Sequence, residues 1–209
     1  MAPIHNKPFL AHQMDHWMQS GIDSFILSVG YLRETIIDYF GDCYNGVPIT
    51  YAIEEIPLGT GGGILQAMKH LNSDDSFLLL NGDTYFDVDL IKLKELHCRH
   101  NAGVTFSLFR ANEPDRFGGV SIDANCRITK FRSEKARSGQ LANGGVYMID
   151  PNVIRKQYHA DVGKFSFEDD ILPRLFDTGT PFFGLESNGR FVDIGVPEDY
   201  AAASIIMFR

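Results

Sequence analysis

Ser76 to Tyr85, Ser-Phe-Leu-Leu-Leu-Asn-Gly-Asp-Thr-Tyr, constrains this chain more than any other stretch. The successive apolar residues Phe77 to Leu80 are too few for a free-standing helix and lack the alternation of a half-solvated strand. They predict a central parallel strand covered on both faces. Asn81 and Gly82 then permit a turn, which sets Asp83 at the carboxyl end of that strand, where open α/β sheets bind their ligands. A carboxylate there suits Mg²⁺, which takes oxygen ligands and completes its shell with phosphate and water; a plain turn cap is the other account of the same residue.

The segments around this strand alternate. Leu10, Met14, Trp17 and Met18 recur at helical spacing after Pro8 and stop at Gly21. Ile22–Val29 reads as a buried strand, Leu32, Ile36, Ile37 and Phe40 mark a second helix, Ile49–Ile53 a second strand, and Ile64, Leu65, Met68 and Leu71 a third helix. Such alternation predicts a parallel sheet with helices on its faces. Beyond Asp83 a helix at Leu90–His97 and a strand at Val104–Leu108 follow. Short strands at Val120–Asp123, Ile128–Arg132 and Val146–Ile149, broken by turn-formers, then point to antiparallel or mixed pairing. Helices near Asn152–Tyr158 and Asp169–Phe176, a strand at Pro181–Leu185 and a helix from Pro197 finish the chain.

With 209 residues and no repeat or linker, a single domain spanning 1–209 is expected. A net charge of −8 argues against nucleic acid or an anionic membrane as partner, since both are drawn to a basic surface. No apolar run approaches a membrane span and the amino terminus lacks a signal-peptide core, so a cytoplasmic protein is expected. Cys43, Cys98 and Cys126 are too widely separated for zinc ligation and read as free, buried thiols.

Between a strand and a helix lies Glu54-Glu55-Ile56-Pro57-Leu58-Gly59-Thr60-Gly61-Gly62-Gly63. Glycines this dense let backbone N–H groups approach a flat or anionic ligand, assisted by the positive end of the following helix. A flexible loop without a ligand is the plainer alternative, and the run matches neither a Walker loop nor the usual dinucleotide fingerprint.

Pro57-Leu58-Gly59-Thr60-Gly61-Gly62 followed by Asn81-Gly82-Asp83 resembles the nucleotide-binding half of the sugar-phosphate nucleotidylyltransferases. Phe117-Gly118-Gly119-Val120, Ser133-Glu134-Lys135, Asn143-Gly144-Gly145-Val146-Tyr147, Phe165-Ser166-Phe167-Glu168-Asp169 and Phe191-Val192-Asp193-Ile194-Gly195-Val196-Pro197-Glu198-Asp199-Tyr200 continue the resemblance in that family's order. It implies a Rossmann-like α/β fold of glycosyltransferase-A type, with a mixed, mostly parallel sheet. Residues 1–110 would form the nucleotide-binding half and 111–209 the sugar-phosphate-binding half. The implied reaction is attack of a sugar 1-phosphate on the α-phosphate of a nucleoside triphosphate.

By the resemblance, Asp83 and Asp193 hold Mg²⁺ and Lys135 grips the sugar phosphate as a mobile point charge. Glu134, Asn143 and Glu168 address sugar hydroxyls, and Gly118 leaves room for the ring. Glu54, Pro57, Gly59, Thr60 and Gly61 would form the nucleotide site. A carboxylate only accepts hydrogen bonds, so Glu54 tilts the choice of base toward guanine, which donates from a ring N–H and an amine. Taken alone, Lys135 reads rather as a surface lysine, and Glu168 as an acid favoured in a first helical turn. Within the family the chain most resembles the guanylyl-transferring branch that takes a manno-heptose 1-phosphate. The uridylyl-transferring branch acting on N-acetylmuramate 1-phosphate is next, and a homo-oligomer is compatible with either.

The family pattern also has a first central strand and a Gly-Gly-x-Gly-Thr-Arg-Leu loop ahead of the segment that Met1-Ala-Pro-Ile matches. On that pattern, residues 1–209 alone are expected to be weak in catalysis and poor in solubility. Two further readings compete. Asp87-Val88-Asp89 spells the Asp-x-Asp pattern of nucleotide-sugar-dependent glycosyltransferases, although Asp89 also suits a helix cap. A non-catalytic sugar-phosphate-binding module is the other.

Overall fold

The computed structural model of the chain describes residues 1–113, 116–135, 138–158 and 163–208, the side chains of 132–135 excepted. It comprises two compact units, Met1–Asp74 with Pro151–Leu175 and Asp75–Asp150 with Phe176–Arg209.

In the first unit a short hairpin, β1 (Pro3–Ile4) and β2 (Lys7–Pro8), turns through His5 and Asn6, both at positive φ as such two-residue turns require. It launches α1 (Phe9–Gln19), whose Ala11, Met14 and Trp17 are buried. β3 (Phe25–Val29), α2 (Arg33–Phe40), β4 (Cys43–Tyr44) and β5 (Val47–Ile53) follow. β3 runs parallel to β5, from Phe25 opposite Ile49 to Val29 opposite Ile53. Ala11 and Met14 of α1 meet Phe40 and Ile49, with Phe25, Leu27 and Ile36 packed around them, so both helices bury their apolar stripes on this sheet. α3 (Gly59–Ala67) leaves the carboxyl end of β5 through the glycine-rich loop. The chain later returns to this unit with a helix at Pro151–Arg155 and a wide turn at Phe167–Ile171.

The second unit holds β6 (Phe77–Leu80), β7 (Thr84–Phe86), α4 (Leu90–Arg99), β8 (Val104–Arg110), β9 (Gly118–Ile122), β10 (Ile128–Lys135), β11 (Leu141–Ile149), β12 (Phe182–Glu186) and β13 (Phe191–Asp193). The main sheet has the order β10-β9-β11-β8-β12, with β6 also paired to β11. Every residue of β8 except Arg110 is buried, which accounts for its unbroken apolar character. Phe106 on β8 meets Tyr147 on β11 edge-on at 5.2 Å and Phe182 on β12 at the same distance. β7 and β13 form a separate antiparallel ribbon, and the final helix is Pro197–Met207.

The α/β class and the change to antiparallel strands after Val104–Leu108 match the sequence reading; three details differ. Among the described residues parallel pairing is confined to β3 with β5 and β8 with β12, and the remaining ladders are antiparallel, so the sheets are more mixed than expected. β6, expected to be parallel and fully covered, pairs antiparallel to β11 and keeps all its residues partly exposed. An apolar run reports burial, not the direction of a partner. The three cysteines are free, but Cys43 and Cys98 are exposed and Cys126 is half-buried. Among the described residues no helix is long and apolar enough to cross a membrane.

Candidate active site

Asp83 and Asp193 come together in the second unit. β7 and β13 pair Thr84 with Asp193, and the amide of Ile194 donates to the Asp83 carbonyl at 2.9 Å, so the two aspartates stand side by side where the ribbon opens. A Cβ placed on Gly195 would lie 3.0 Å from Asp193 Oδ1 and 3.4 Å from Asp83 Oδ2. Both carboxylates therefore face one point, and only a glycine leaves it clear. Burial pushes the Asp193 carboxyl above its ordinary value, and the neighbouring charges of Asp83 and Asp199 add to that. The Gly195 amide, donating to Asp193 Oδ1 at 2.9 Å, and the charge of Arg116 pull the other way.

An aromatic cluster fixes the ribbon. Phe191 stacks on Phe109 at 4.0 Å and 17°, and Phe86 and Phe117 meet Phe191 edge-on at 5.7 Å each. Gly144 admits Phe86, since a Cβ there would fall 2.3 Å from its ring. Arg116, absent from the sequence reading, lies over Phe117 at 4.9 Å and donates from Nη2 to Asp199 Oδ2 at 2.5 Å. Its position directly before Phe117-Gly118-Gly119 was the available signal.

The expected sugar-side residues of this unit fare differently. A Cβ on Gly118 would meet nothing within 4 Å, so packing does not explain that glycine. Asn143 is engaged locally: its Nδ2 donates to the Tyr147 hydroxyl at 2.5 Å and its Oδ1 accepts from the Gly145 amide at 3.1 Å, across a register shift in the β8–β11 ladder. Lys135 pairs with Gly118 along the backbone of β10, while the side chains of Glu134 and Lys135 lie outside the described residues.

In the first unit Glu54 organises the loop it begins. Its Oε1 accepts from the Ser28 hydroxyl at 2.8 Å and its Oε2 from the Leu58 amide at 3.0 Å, just before α3, where the helix dipole favours negative charge. The glycines after it admit protein as closely as any ligand. The Gly61 amide donates to the Phe165 carbonyl at 2.8 Å, and the Phe165 amide donates back to the Leu58 carbonyl at 3.0 Å. A Cβ on Gly59, which sits at φ +71, would be 2.5 Å from Phe165 O, and one on Gly62 would be 2.4 Å from Gly163 O. The Gly61 amide, expected to face a ligand, thus serves the returning segment; Pro57 is exposed. The Thr60 hydroxyl accepts from the Phe167 amide at 2.8 Å and donates to Glu168 Oε2 at 3.1 Å. Two residues assigned to different substrates are therefore hydrogen-bonded.

Asp89 caps α4, accepting from the Lys92 amide at 3.1 Å, and Asp87 pairs with Arg190 at 3.2 Å. The Asp-x-Asp sequence is thereby accounted for structurally.

Known proteins resemble this chain along most of its length. The nucleotidyl transferase family model matches residues 1–207. The D-glycero-alpha-D-manno-heptose 1-phosphate guanylyltransferase of Aneurinibacillus thermoaerophilus is 40% identical over 203 residues, covering 97% of this chain and 86% of that protein. Its counterpart from Campylobacter jejuni is 36% identical, covering 96% and 86%. The crystal structure of HddC from Yersinia pseudotuberculosis complexed with GMP-PN superposes with a TM-score of 0.85 at 30% identity, covering 98% of this chain and 88% of that one. With its motifs in order and a match along almost its whole length, this chain belongs to the nucleotidyl transferase family.

Proposed function

We propose that this chain transfers GMP from GTP to a sugar 1-phosphate, with D-glycero-α-D-manno-heptose 1-phosphate the favoured acceptor. A phosphate oxygen of the sugar forms the new bond to the α-phosphorus as the bond to the bridging oxygen breaks, and pyrophosphate leaves. The observation that carries this reading is the 40% identity over 97% of the chain to a heptose 1-phosphate guanylyltransferase. The product is an activated sugar for glycan assembly, surface polysaccharide included, made in the cytoplasm, where GTP is supplied.

Transfer of this kind depends mainly on positioning and charge neutralisation. Asp83 and Asp193 fit a hard divalent cation: both supply oxygen, they converge beside Gly195, and their mutual repulsion is what a cation would offset. They would hold Mg²⁺, which when bound neutralises phosphate charge. No third His, Cys, Asp or Glu joins them in a ready-made cage among the described residues, which suits a cation shared with substrate. Lys135 would hold the sugar phosphate, Glu168 would accept from sugar hydroxyls, and the open space over Gly118 would receive the ring. Glu54 would set the shape of the base pocket by anchoring the loop from Glu54 to Leu58.

The test is pyrophosphate release with Mg²⁺ and the heptose 1-phosphate, comparing GTP with UTP. Formation of GDP-heptose with a clear preference for GTP is expected. Preference for UTP, or nucleoside diphosphate as the released product, would overturn the proposal.

A further inference from the structure

We infer that Thr60 is a positioning residue for the sugar, acting through Glu168, and not a nucleotide contact; this rests on the proposed function. The Thr60 hydroxyl carries one proton. An amide can only donate and a carboxylate can only accept, so the bond from the Phe167 amide at 2.8 Å occupies a lone pair and directs the hydroxyl proton onto Glu168 Oε2 at 3.1 Å. The pair is polarised in one sense only.

The backbone beneath Glu168 is held independently. The Gly61 and Phe165 amides tie residues 58–61 to Phe165, and the glycines at 59 and 62 let the chains touch. Around Glu168 the other acids serve the turn itself. Ser166 Oγ donates to Asp169 Oδ2 at 2.9 Å and accepts from the Asp169 amide at 3.0 Å, while the Ser166 amide donates to Asp170 Oδ2 at 2.7 Å. Glu168 instead reaches across to α3. With its backbone fixed, the long flexible side chain has its carboxylate aimed by Thr60, and a carboxylate oxygen that accepts one bond retains a lone pair for a second. Glu168 is thus presented, half-buried, to accept from a sugar hydroxyl.

Calorimetric titration of the full chain with D-glycero-α-D-manno-heptose 1-phosphate, and separately with GTP, tests this. Thr60→Val, which keeps the shape and loses the hydroxyl, is expected to weaken sugar-phosphate binding about tenfold, the usual scale of a hydrogen bond to a charged group, and to leave GTP within about twofold. Thr60→Ser restores wild-type affinity. In a Glu168→Ala background, which removes the acceptor altogether, Thr60→Val adds no further loss. Equal weakening of GTP, persistence of the loss without the Glu168 carboxylate, or indifference to Thr60→Val would each overturn the inference. Should Thr60→Val not fold, Thr60→Ser still decides, since a tenfold loss there contradicts it. A wild-type chain that binds no sugar phosphate would instead remove the functional reading beneath it.

Discussion

Asp83 and Asp193 lie 110 residues apart in sequence, yet an oxygen of each falls within 3.4 Å of a single point beside Gly195. The β7–β13 ribbon creates this meeting, and the Phe86, Phe109, Phe117 and Phe191 rings hold the ribbon in place. Two like charges confined together, one with its carboxyl pushed upward chiefly by burial, destabilise the unit that contains them. A cation held between them would offset that cost.

Asp193→Asn should therefore raise the melting temperature in EDTA, on the order of a degree or two. Asparagine keeps an oxygen to accept from the Gly195 amide while removing the charge. Added Mg²⁺ with nucleotide should stabilise the wild type and not the variant, because only a state that binds the ligand is stabilised by it. Differential scanning fluorimetry with and without the metal reads both effects, and a variant less stable than wild type in EDTA would count against the repulsion.

Gly62→Ala should destabilise the chain by about 1–3 kcal/mol, the usual scale of overpacking against a neighbour that cannot yield. The added Cβ would meet the Gly163 carbonyl at 2.4 Å, and backbone does not move aside as a flexible side chain does. Urea denaturation measures the change in midpoint.

Gly118→Ala should do the reverse. With nothing within 4 Å of the added Cβ, stability should stay within about 0.5 kcal/mol of wild type. If the open space receives the sugar ring, the KM for sugar 1-phosphate should rise several-fold while the KM for GTP holds. Steady-state kinetics on both substrates separates this from a general loss.

His97 is buried, with Nε2 3.0 Å from the Ser76 hydroxyl and Nδ1 2.9 Å from the Thr105 hydroxyl. Burial holds its pKa below the ordinary imidazole value, against the opposing charge of Asp150. Below about pH 6.5 the unfolded chain takes up a proton that folded His97 resists, so stability falls as pH drops and is recovered above that value. His97→Asn, which removes the titrating group, should lose less melting temperature than wild type between about pH 7.5 and about pH 5.5, even if it starts lower. Parallel slopes would show that His97 does not carry the acid sensitivity.

The alternation of elements was legible because it rests on local patterning: Met14 and Trp17 mark the buried stripe of α1, and Val104 to Leu108 mark a core strand. The partner of β6 was not legible, since Phe77 to Leu80 carry no information on the direction of the strand beside them. Glycine requirements were ambiguous for a physical reason. A ligand approaching a helix start and a backbone segment approaching it both exclude a Cβ, so Gly59, Gly61 and Gly62 read alike until the Gly163–Phe167 segment was seen against them. Glu54 carried a similar ambiguity, because a carboxylate that could read a base also suits the Ser28 hydroxyl and the Leu58 amide. The convergence of Asp83 with Asp193 was reached only through resemblance to a family, as no spacing rule links strand ends so far apart.

If these two aspartates act as one cation site, Mn²⁺ titration followed by electron paramagnetic resonance in the presence of the GDP-heptose product measures it directly. Wild-type protein should sequester Mn²⁺ with the nucleotide-sugar bound. Asp83→Asn and Asp193→Asn should each weaken that binding by about tenfold or more, the scale on which loss of one charged partner is felt. Retention of wild-type Mn²⁺ affinity by either variant would contradict the account.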